Sequence, residues 1–310
     1  MKILLTGAAG FLGSHLSNRL VEFGHNVIGL DDLYTGSINN LRSLQNNRNF
    51  EFVLQDVRNP LDFEVDSIIN FACPASPIHY QKDPVRTIET NFLGAINVLH
   101  LAKKLNCRVI QASTSEVYGD PLVSPQTEEY WGNVNPIGLR SCYDEGKRAA
   151  ETLFFDYKRQ FGIDSRVIRI FNTYGPNMAL DDGRVISNFI HQALLGKDLT
   201  IYGDGLQTRS FCYVSDLIDA VMKLLERKEL IDSPINIGNP TEYSMIDIAN
   251  LIIEMTESVS KTKFLPLPSD DPRQRKPNIA LANRILDWYP KVSLNEGIAK
   301  TIDYFRKVLT

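Results

Sequence analysis

Tyrosine and lysine stand four positions apart in the stretch SCYDEGKRAAE, residues 141–151. Residues with this spacing are neighbours on a helix surface, so Tyr143 and Lys147 would present a phenol and an ammonium together. A phenol, with a pKa of ~10, becomes a base near neutral pH only if a cation stabilises the phenolate. Gly146 costs a helix about 1 kcal/mol, and we expect its missing side chain to let a cofactor or a strand approach Lys147. The pair predicts proton transfer from an alcohol; the alternative is an ordinary exposed helical turn.

Polar side chains close the strand predicted before this helix. The stretch ASTSEVYG, residues 112–119, contains Thr114, Ser115 and Glu116 in succession. Ligands of open parallel sheets bind beyond the carboxyl ends of the strands. Thr114 can therefore share a hydrogen bond with the hydroxyl that Tyr143 deprotonates, while the hydride leaves to a nicotinamide.

A glycine-rich turn follows the first predicted strand. Residues 6–13 read TGAAGFLG, with glycines at positions 7, 10 and 13. Such glycines permit a tight turn and a close approach of the backbone to a pyrophosphate, and the following helix offers free N–H groups. The turn predicts dinucleotide binding, although glycine turns between strand and helix also occur for purely structural reasons.

An acidic residue supports the nucleotide interpretation. Asp31 ends the second predicted strand, 18 residues after Gly13, where a carboxylate can accept hydrogen bonds from the adenosine ribose. The carboxylate would repel a 2′-phosphate, so NAD is favoured over NADP. Asp56, after the third predicted strand, is a weaker candidate for contacting the adenine.

Short apolar runs alternate with helical patterns through the first part of the chain. Continuous rather than alternating apolar runs are typical of strands covered on both faces, and their order predicts an α/β fold with a doubly wound parallel sheet. The predicted helices include Leu12–Phe23 and Pro84–Leu105. The predicted strands are Lys2–Thr6, Asn26–Leu30, Phe50–Gln55, Ser67–Phe71, Arg108–Ala112, Ser165–Ile170 and, later, Pro234–Ile237.

The pattern changes after Phe171. Residues 172–206 are rich in Gly, Asp and Asn, and the segment from Pro240 onward is predicted to be mainly helical. We therefore expect a dinucleotide-binding domain from residues 1–171 and 207–238. A smaller, mainly helical substrate lobe would combine residues 172–206 and 239–310.

Composition narrows the class of protein. The 310 residues are 43% hydrophobic and 23% charged with a net charge of −4, which is typical of a soluble globular protein and gives no reason to expect nucleic acid or a membrane as partner. No stretch approaches the ~20 apolar residues that a spanning helix needs. The four cysteines are widely spaced and the five histidines form no ligand motif, so we expect a cytoplasmic protein without a metal.

Taken together, GxxGxxG, Asp31, Thr-Ser-Glu and YxxxK resemble the extended short-chain dehydrogenase/reductase family, whose members act on nucleotide sugars. Within it, the sequence is similar to the UDP-glucuronate decarboxylase branch. The stretches that carry this resemblance are PASP (74–77), STSEVYGDP (113–121), YWGNVNPIG (130–138), SCYDEGKR (141–148), RIFNTYGP (169–176), DDGRVISNFI (181–190), YGDGLQTRSFCYVSDL (202–217) and DDPRQRKP (270–277).

The resemblance implies roles for individual residues. Tyr143 would be the base at the sugar C4 hydroxyl, assisted by Lys147 and Thr114, with Glu116 orienting the sugar and Ser115 beside it. Arg275 would face the sugar carboxylate or act as an acid/base group. The implied cofactor-binding set is Gly7, Gly10, Phe11, Leu12, Gly13, Asp31, Asp32, Thr35, Gly36, Asp56, Val57, Phe71, Thr90, Tyr143 and Lys147. The implied UDP-sugar set is Asn172, Thr173, Arg184, Val185, Tyr202, Arg209 and Arg275.

Three functions stay open from the sequence. Oxidation at C4 turns UDP-glucuronate into a β-keto acid that loses carbon dioxide, which predicts conversion to UDP-xylose with bound NAD regenerated. Glu89 and Asn177 stand where the family carries positive charge, which favours the alternative of a dehydratase acting on a neutral UDP-hexose or UDP-N-acetylhexosamine. Ser115 is a poor proton donor and argues against dehydration. A non-catalytic NAD-binding regulator is the third reading.

The resemblance also implies a homodimer. Relatives pair through two helices of each subunit, which correspond here to Pro84–Leu105 and Tyr143–Gln160. These would form a four-helix bundle between two copies of the chain.

Overall fold

A computed structural model describes residues 1–267 and 274–310. The first four residues of the DDPRQRKP stretch, 270–273, lie outside the described residues. The strands are β1 (Lys2–Thr6), β2 (Asn26–Asp31), β3 (Phe50–Leu54), β4 (Ser67–Asn70), β5 (Arg108–Thr114), β6 (Ser165–Ile170), β7 (Thr173–Tyr174), β8 (Leu199–Tyr202), β9 (Thr208–Ser210), β10 (Cys212–Tyr213), β11 (Ile235–Ile237), β12 (Glu242–Ser244) and β13 (Thr262–Leu265). The α-helices are α1 (Phe11–Glu22), α2 (Pro77–Lys82), α3 (Pro84–Leu105), α4 (Ser141–Phe161), α5 (Val185–Leu194), α6 (Val214–Glu226), α7 (Met245–Thr256), α8 (Ala280–Leu286) and α9 (Leu294–Leu309).

A parallel sheet of seven strands forms the centre of the described chain, in the order β11-β6-β5-β4-β1-β2-β3. The chain moves outward in one direction from β1 to β3 and then returns to build the other half from β4. This reversal lies between β1 and β4, and it leaves a crevice at the carboxyl ends of the strands. The predicted doubly wound sheet is confirmed.

Both faces of the sheet are covered because successive side chains of a strand point to opposite sides. In β1, Ile3 and Leu5 belong to the core under α1 and α6, whereas Leu4 belongs to the core under α3 and α4. All three side chains are fully buried. The continuous apolar runs in the sequence follow from this double burial.

The predicted boundaries agree with the structure within two residues. β1, β6 and α3 begin and end where the sequence predicts. β5 continues two residues further than expected, because Ser113 and Thr114 still pair with β6. As a result, Thr114 is the last residue of a central strand and is held rigidly at the crevice.

The chain beyond Phe171 contains more regular structure than the sequence indicated. The segment 172–206 includes α5, which was not predicted, and the region after Pro240 contains two short strands besides its helices. β13 pairs with β8 and β12 pairs with β9, so residues far apart in sequence join in small two-stranded sheets. In residues 1–267 and 274–310, no helix combines the length and apolar character needed to cross a membrane.

Candidate active site

The turn between β1 and α1 is closed by glycines whose side chains would not fit. Gly7 has a φ of 71°, and a Cβ there would lie 2.7 Å from the carbonyl carbon of Phe71. A Cβ on Gly13 would overlap the carbonyl oxygen of Gly7. Gly10 is the N-cap of α1, and the N–H groups of the first helical turn have no acceptor within the helix. This cradle fits the pyrophosphate of a dinucleotide.

Asp31 fastens the turn to β2. Its Oδ2 accepts a hydrogen bond from the Ala9 N–H at 2.9 Å, and its Oδ1 accepts one from the Leu33 N–H at 2.8 Å. Burial raises the pKa of Asp31, and these backbone bonds oppose that shift. The carboxylate thus has a structural task in the turn, and the ribose-binding role stays a prediction.

A charged network lies beside the glycine turn. Arg86 of α3 binds Asp32 at 2.6 Å, and Arg58 binds Asp56 at 2.7 Å and Glu89 at 2.6 Å. The Glu89 side chain is 43% exposed and its partner is Arg58, so it belongs to this network and not to the wall of the cavity described below. Glu89 therefore lies outside the cavity wall, because α3 carries it toward the loop after β3.

Tyr143 and Lys147 lie on one face of α4, at the carboxyl end of β5. Both are buried, and Lys147 donates a hydrogen bond from Nζ to the Ala112 carbonyl at 2.9 Å. Nζ lies 5.7 Å from the centre of the Tyr143 ring. Thr114 is hydrogen-bonded to Tyr143, which favours the phenolate. Tyrosine, lysine and threonine are thus brought together as predicted.

The electrostatics of this group differ from the expectation. Burial raises the pKa of Tyr143 above that of a free phenol, and the neighbouring Cys73 adds to the shift. Burial also lowers the pKa of Lys147. Desolvation is therefore the largest influence on the pKa of Tyr143, and the hydrogen bond with Thr114 opposes it.

Gly146 has a different role from the one predicted. A Cβ on Gly146 would lie 2.9 Å from Nδ2 of Asn91 and 3.1 Å from its Cβ. Asn91 belongs to α3, so the glycine allows two helices to pack closely rather than admitting a cofactor or a strand. The costly helical glycine is explained by helix packing.

A buried charge cluster lies near Tyr143. Glu116 Oε2 accepts hydrogen bonds from Arg140 and, at 3.2 Å, from Arg275. Arg275 is 1% exposed and also donates to the Ser115 carbonyl. The two cations hold the pKa of Glu116 at about 2 despite its burial. The Ser115 hydroxyl lies 3.5 Å from Glu116, at the limit of a hydrogen bond.

Sequence analysis missed two residues of this site. Arg140 directly precedes α4, three positions before Tyr143, and binds Glu116. Tyr80 of α2 stacks on Tyr143 with ring centres 5.2 Å apart and planes 5° from parallel. The Tyr80 hydroxyl is buried and has no hydrogen-bond partner among the described residues. The position of Arg140 next to the YxxxK stretch was a usable signal, whereas nothing in the sequence around Tyr80 predicted its stacking.

One cavity of about 1170 Å³ joins the glycine turn to the charge cluster. It continues to the segments around α5, β8 and β9, which contain residues predicted to bind the UDP-sugar. Arg184 forms a bidentate pair with Asp182 and lies 5.7 Å from the ring centre of Phe11, on the side of the glycine turn. The predicted residues that line the cavity are Gly7, Gly10, Phe11, Leu12, Gly13, Thr35, Phe71, Thr114, Ser115, Glu116, Tyr143, Lys147, Asn172, Thr173, Arg184, Val185, Tyr202, Arg209 and Arg275.

Some predicted cofactor residues stand behind this wall. The Val57 side chain packs against Gly94 in the core, where a Cβ on Gly94 would lie 2.9 Å from it. The Thr90 hydroxyl donates to the Arg86 carbonyl. Asn177, in contrast, does line the cavity and donates to the Ser14 hydroxyl. The predicted residues absent from the lining are Asp31, Asp32, Gly36, Asp56, Val57 and Thr90.

Comparison with known proteins agrees with this geometry. Residues 3–238 match the NAD dependent epimerase/dehydratase family. The chain is 55% identical to UDP-glucuronic acid decarboxylase 6 of Arabidopsis thaliana over 99% of its length and 89% of the relative's. It is 51% identical to UDP-glucuronic acid decarboxylase 1 of Xenopus tropicalis, covering 99% of this chain and 73% of that one.

A solved structure shares both the fold and the cofactor. UDP-glucuronic acid 4-epimerase from Bacillus cereus, in complex with UDP-glucuronic acid and NAD, superposes with a TM-score of 0.89. The two chains are 31% identical, and the match covers 99% of this chain and 100% of that chain. NAD is the cofactor indicated by the glycine cradle, by Asp31 and by these matches. The chain therefore belongs to the NAD dependent epimerase/dehydratase family.

Proposed function

We propose that the protein is a lyase that converts UDP-glucuronate to UDP-xylose and carbon dioxide. One observation carries this proposal: Arg275, buried beside Glu116, opens onto the same cavity as Tyr143. A guanidinium in that place can pair with a sugar carboxylate while the tyrosine works at the neighbouring hydroxyl. The identity of 51–55% to decarboxylases of this name supports the same conclusion.

The chain's residues would divide the work as follows. Thr114 holds the C4 hydroxyl and Tyr143 takes its proton, with the ammonium of Lys147 stabilising the phenolate. A bound NAD would supply the hydride acceptor for oxidation at C4 and the hydride donor for the final reduction, so that no net oxidant would be consumed. The C4 ketone makes the carboxylate a β-keto acid, whose C5–C6 bond breaks to release carbon dioxide. The enol left behind takes a proton at C5, for which Arg275 positions the donor, and Tyr143 returns its proton to the C4 oxygen.

The dehydratase alternative is less well supported by this arrangement. Elimination of water across C5–C6 needs a base for the C5 proton and an acid for the leaving hydroxyl. Glu116 is a weak base because Arg140 and Arg275 hold its pKa at about 2. Ser115 offers no acidic proton. The non-catalytic reading is disfavoured because tyrosine, lysine and threonine meet at one cavity wall.

Incubation without added reductant tests the function. UDP-glucuronate, UDP-glucose and UDP-N-acetylglucosamine are supplied separately and the products are measured by mass. We expect UDP-xylose and carbon dioxide from UDP-glucuronate alone. The proposal is wrong if UDP-glucuronate is inert and a neutral UDP-sugar loses water.

Arg275→Ala sharpens this test. We expect carbon dioxide release to fall more than hydride transfer, which is followed by nicotinamide absorbance, because the variant keeps Tyr143, Lys147 and Thr114. Lys276→Ala is the matched control, since Lys276 pairs with Glu242 at 3.0 Å outside the cavity wall. Equal loss of both steps in Arg275→Ala would show that the arginine has no special role at the carboxylate.

We also propose the division of labour between the two parts of the chain. Residues 1–171 and 207–238 would bind NAD, and residues 172–206 and 239–310 would bind the UDP-sugar. The pairing of β8 with β13 and the packing of α5 against α7 and α9 support the second unit. Substitution of Arg209, in β9 at the border of the two, should weaken UDP binding without weakening NAD binding in calorimetry.

A homodimer through α3 and α4 completes the proposal. α3 exposes Val85, Ile88 and Phe92, which have the spacing of one helix face. The two helices pack side by side, so two copies could form a four-helix bundle. Analytical ultracentrifugation should show a dimer for the protein and a monomer for Phe92→Glu; a monomeric wild type would contradict the proposal.

A further inference from the structure

Asp144 is a buried carboxyl group that the proposed chemistry does not use. It follows Tyr143 in the first turn of α4, and it is 6% exposed without lining the cavity. Its Oδ1 is buried and has no hydrogen-bond partner among the described residues. Its Oδ2 lies 3.9 Å from Nε of Arg140, at the outer limit of an ion pair. An ionised carboxylate in this place would be poorly solvated.

The neighbouring charges do not compensate for this burial. Arg140 and Arg275 both form ion pairs with Glu116, and Arg140 lies closer to Glu116 than to Asp144. Burial, together with the charge of Glu116, raises the pKa of Asp144 to about 7. The charged and titratable groups that act on Asp144 or respond to it include Glu116 from the turn after β5, Arg275 from the segment 274–279, Arg140 just before α4, Cys142, Tyr143 and Glu145 from α4, and Tyr80 from α2.

The proton on Asp144 changes the charge of the cluster by one unit. Ionisation of Asp144 would add a negative charge near Arg140, Arg275 and Glu116, on which Arg209 also acts. An anionic sugar is therefore attracted more strongly while Asp144 keeps its proton, because a buried charge is little screened by solvent.

Resting on the proposed function, we propose that Asp144 is a positioning residue that keeps its proton while a sugar carboxylate is bound, and that it thereby makes the site select an anionic UDP-sugar over a neutral one. The two events are linked reciprocally: the bound carboxylate favours the proton on Asp144, and the proton favours the carboxylate. The preference is complete at acidic pH and is lost as the pH rises through the pKa of Asp144. A purely structural carboxyl group would affect both sugars alike.

Calorimetry measures this preference without turnover. All proteins carry Tyr143→Phe and are loaded with NAD, and the affinities for UDP-glucuronate and UDP-glucose are compared at about pH 6 and about pH 8.5. In the Tyr143→Phe parent we expect the ratio of the two affinities to fall about tenfold between these pH values. With Asp144→Asn added, which mimics the protonated group, the ratio should stay high at both. Asp156→Asn is the matched control, and it should behave like the parent because Asp156 lies on the exposed face of α4 and pairs with Arg159.

Two results would overturn the inference: a ratio in the parent that does not change with pH, or a ratio that falls equally in the Asp144→Asn protein. The function is tested separately by the decarboxylation assay on the unmodified enzyme. Carbon dioxide release with a pH-independent ratio therefore contradicts the inference alone. A pH-dependent ratio without decarboxylation contradicts the function alone.

Infrared spectroscopy keeps the inference testable if Asp144→Asn does not fold. Difference spectra of the NAD-loaded wild type with ¹³C-labelled aspartate should show a protonated aspartate band that disappears between about pH 6 and about pH 8.5. Addition of UDP-glucuronate, but not UDP-glucose, should strengthen this band. Absence of the band at the lower pH would overturn the inference.

Discussion

At the turn between β1 and α1 the backbone forms the binding surface, whereas at the end of β5 buried ionisable side chains form it. The turn relies on missing side chains at Gly7 and Gly13 and on helix N–H groups. In the second region, Arg140 and Arg275 both donate hydrogen bonds to Glu116. Shape alone is enough to hold a pyrophosphate, but a proton can be moved only by side chains whose pKa depends on their surroundings.

The two regions also differ in how their stability depends on pH. The glycines of the turn carry no titratable group, and the one ionisable side chain that fastens the turn is Asp31, whose pKa is raised by burial. In the charge cluster, neighbouring cations lower the pKa of Glu116 to about 2, while burial raises that of Asp144 to about 7. By linkage, Glu116 contributes stability that is lost only in strong acid, and Asp144 contributes stability that is lost as the pH rises through about 7.

Tyr143→Phe should have the largest effect and should touch only the second region. We expect turnover of UDP-glucuronate to fall by about 10²–10⁴-fold, because the variant removes the proposed base and keeps the ring. Steady-state kinetics measure the loss, and calorimetry should show NAD binding close to that of the wild type. Tyr157→Phe, further along α4, is the control. Turnover within a few-fold of the wild type would mean that another group takes the C4 proton.

Gly13→Ala should damage the first region instead. The added Cβ would overlap the Gly7 carbonyl oxygen, so we expect a loss of about 1–3 kcal/mol in the free energy of unfolding and at least about tenfold weaker NAD binding. Urea unfolding and calorimetry measure these quantities. Gly24→Ala is the matched control, because no atom lies within 4 Å of its Cβ position and only its φ of 79° opposes the change. Unchanged NAD affinity in Gly13→Ala would contradict the cradle.

Asp31→Asn tests the one side chain on which the turn depends. We expect the ratio of NAD to NADP affinity to fall about tenfold, since the variant removes the charge that repels a 2′-phosphate. Asp32→Asn, whose carboxylate pairs with Arg86, should change this ratio less. Equal affinities for NAD and NADP in the wild type would show that Asp31 does not discriminate.

Glu89→Lys should have the smallest effect, since Glu89 belongs to neither region. Its partner Arg58 and its own side chain are both partly exposed, so the pair contributes less than about 1 kcal/mol to the free energy of unfolding. We expect the KM for UDP-glucuronate to change less than about twofold, within the effect of a distant surface charge. A tenfold change in KM would place Glu89 at the sugar after all.

Local sequence was sufficient to predict the glycine turn and the strands of the sheet. Gly10 and Gly13 lie against Gly7, a few positions away, and apolar runs identify strands because both faces of the sheet are buried. The YxxxK spacing likewise predicts that Tyr143 and Lys147 are neighbours on a helix surface. These features depend on short-range geometry, so they can be read without knowledge of the fold.

Tertiary structure decided the protonation states of the ionisable groups in the site. Arg275 reaches Glu116 across 159 positions of sequence, and Tyr80 stacks on Tyr143 from a separate helix. The same packing keeps Glu89 out of the cavity wall and places Gly146 against Asn91 of α3. A pKa depends on burial and on charges within a few ångströms, and both are set by segments that only folding brings together. The sequence thus determined which groups are present, while the fold determined which of them carry a proton.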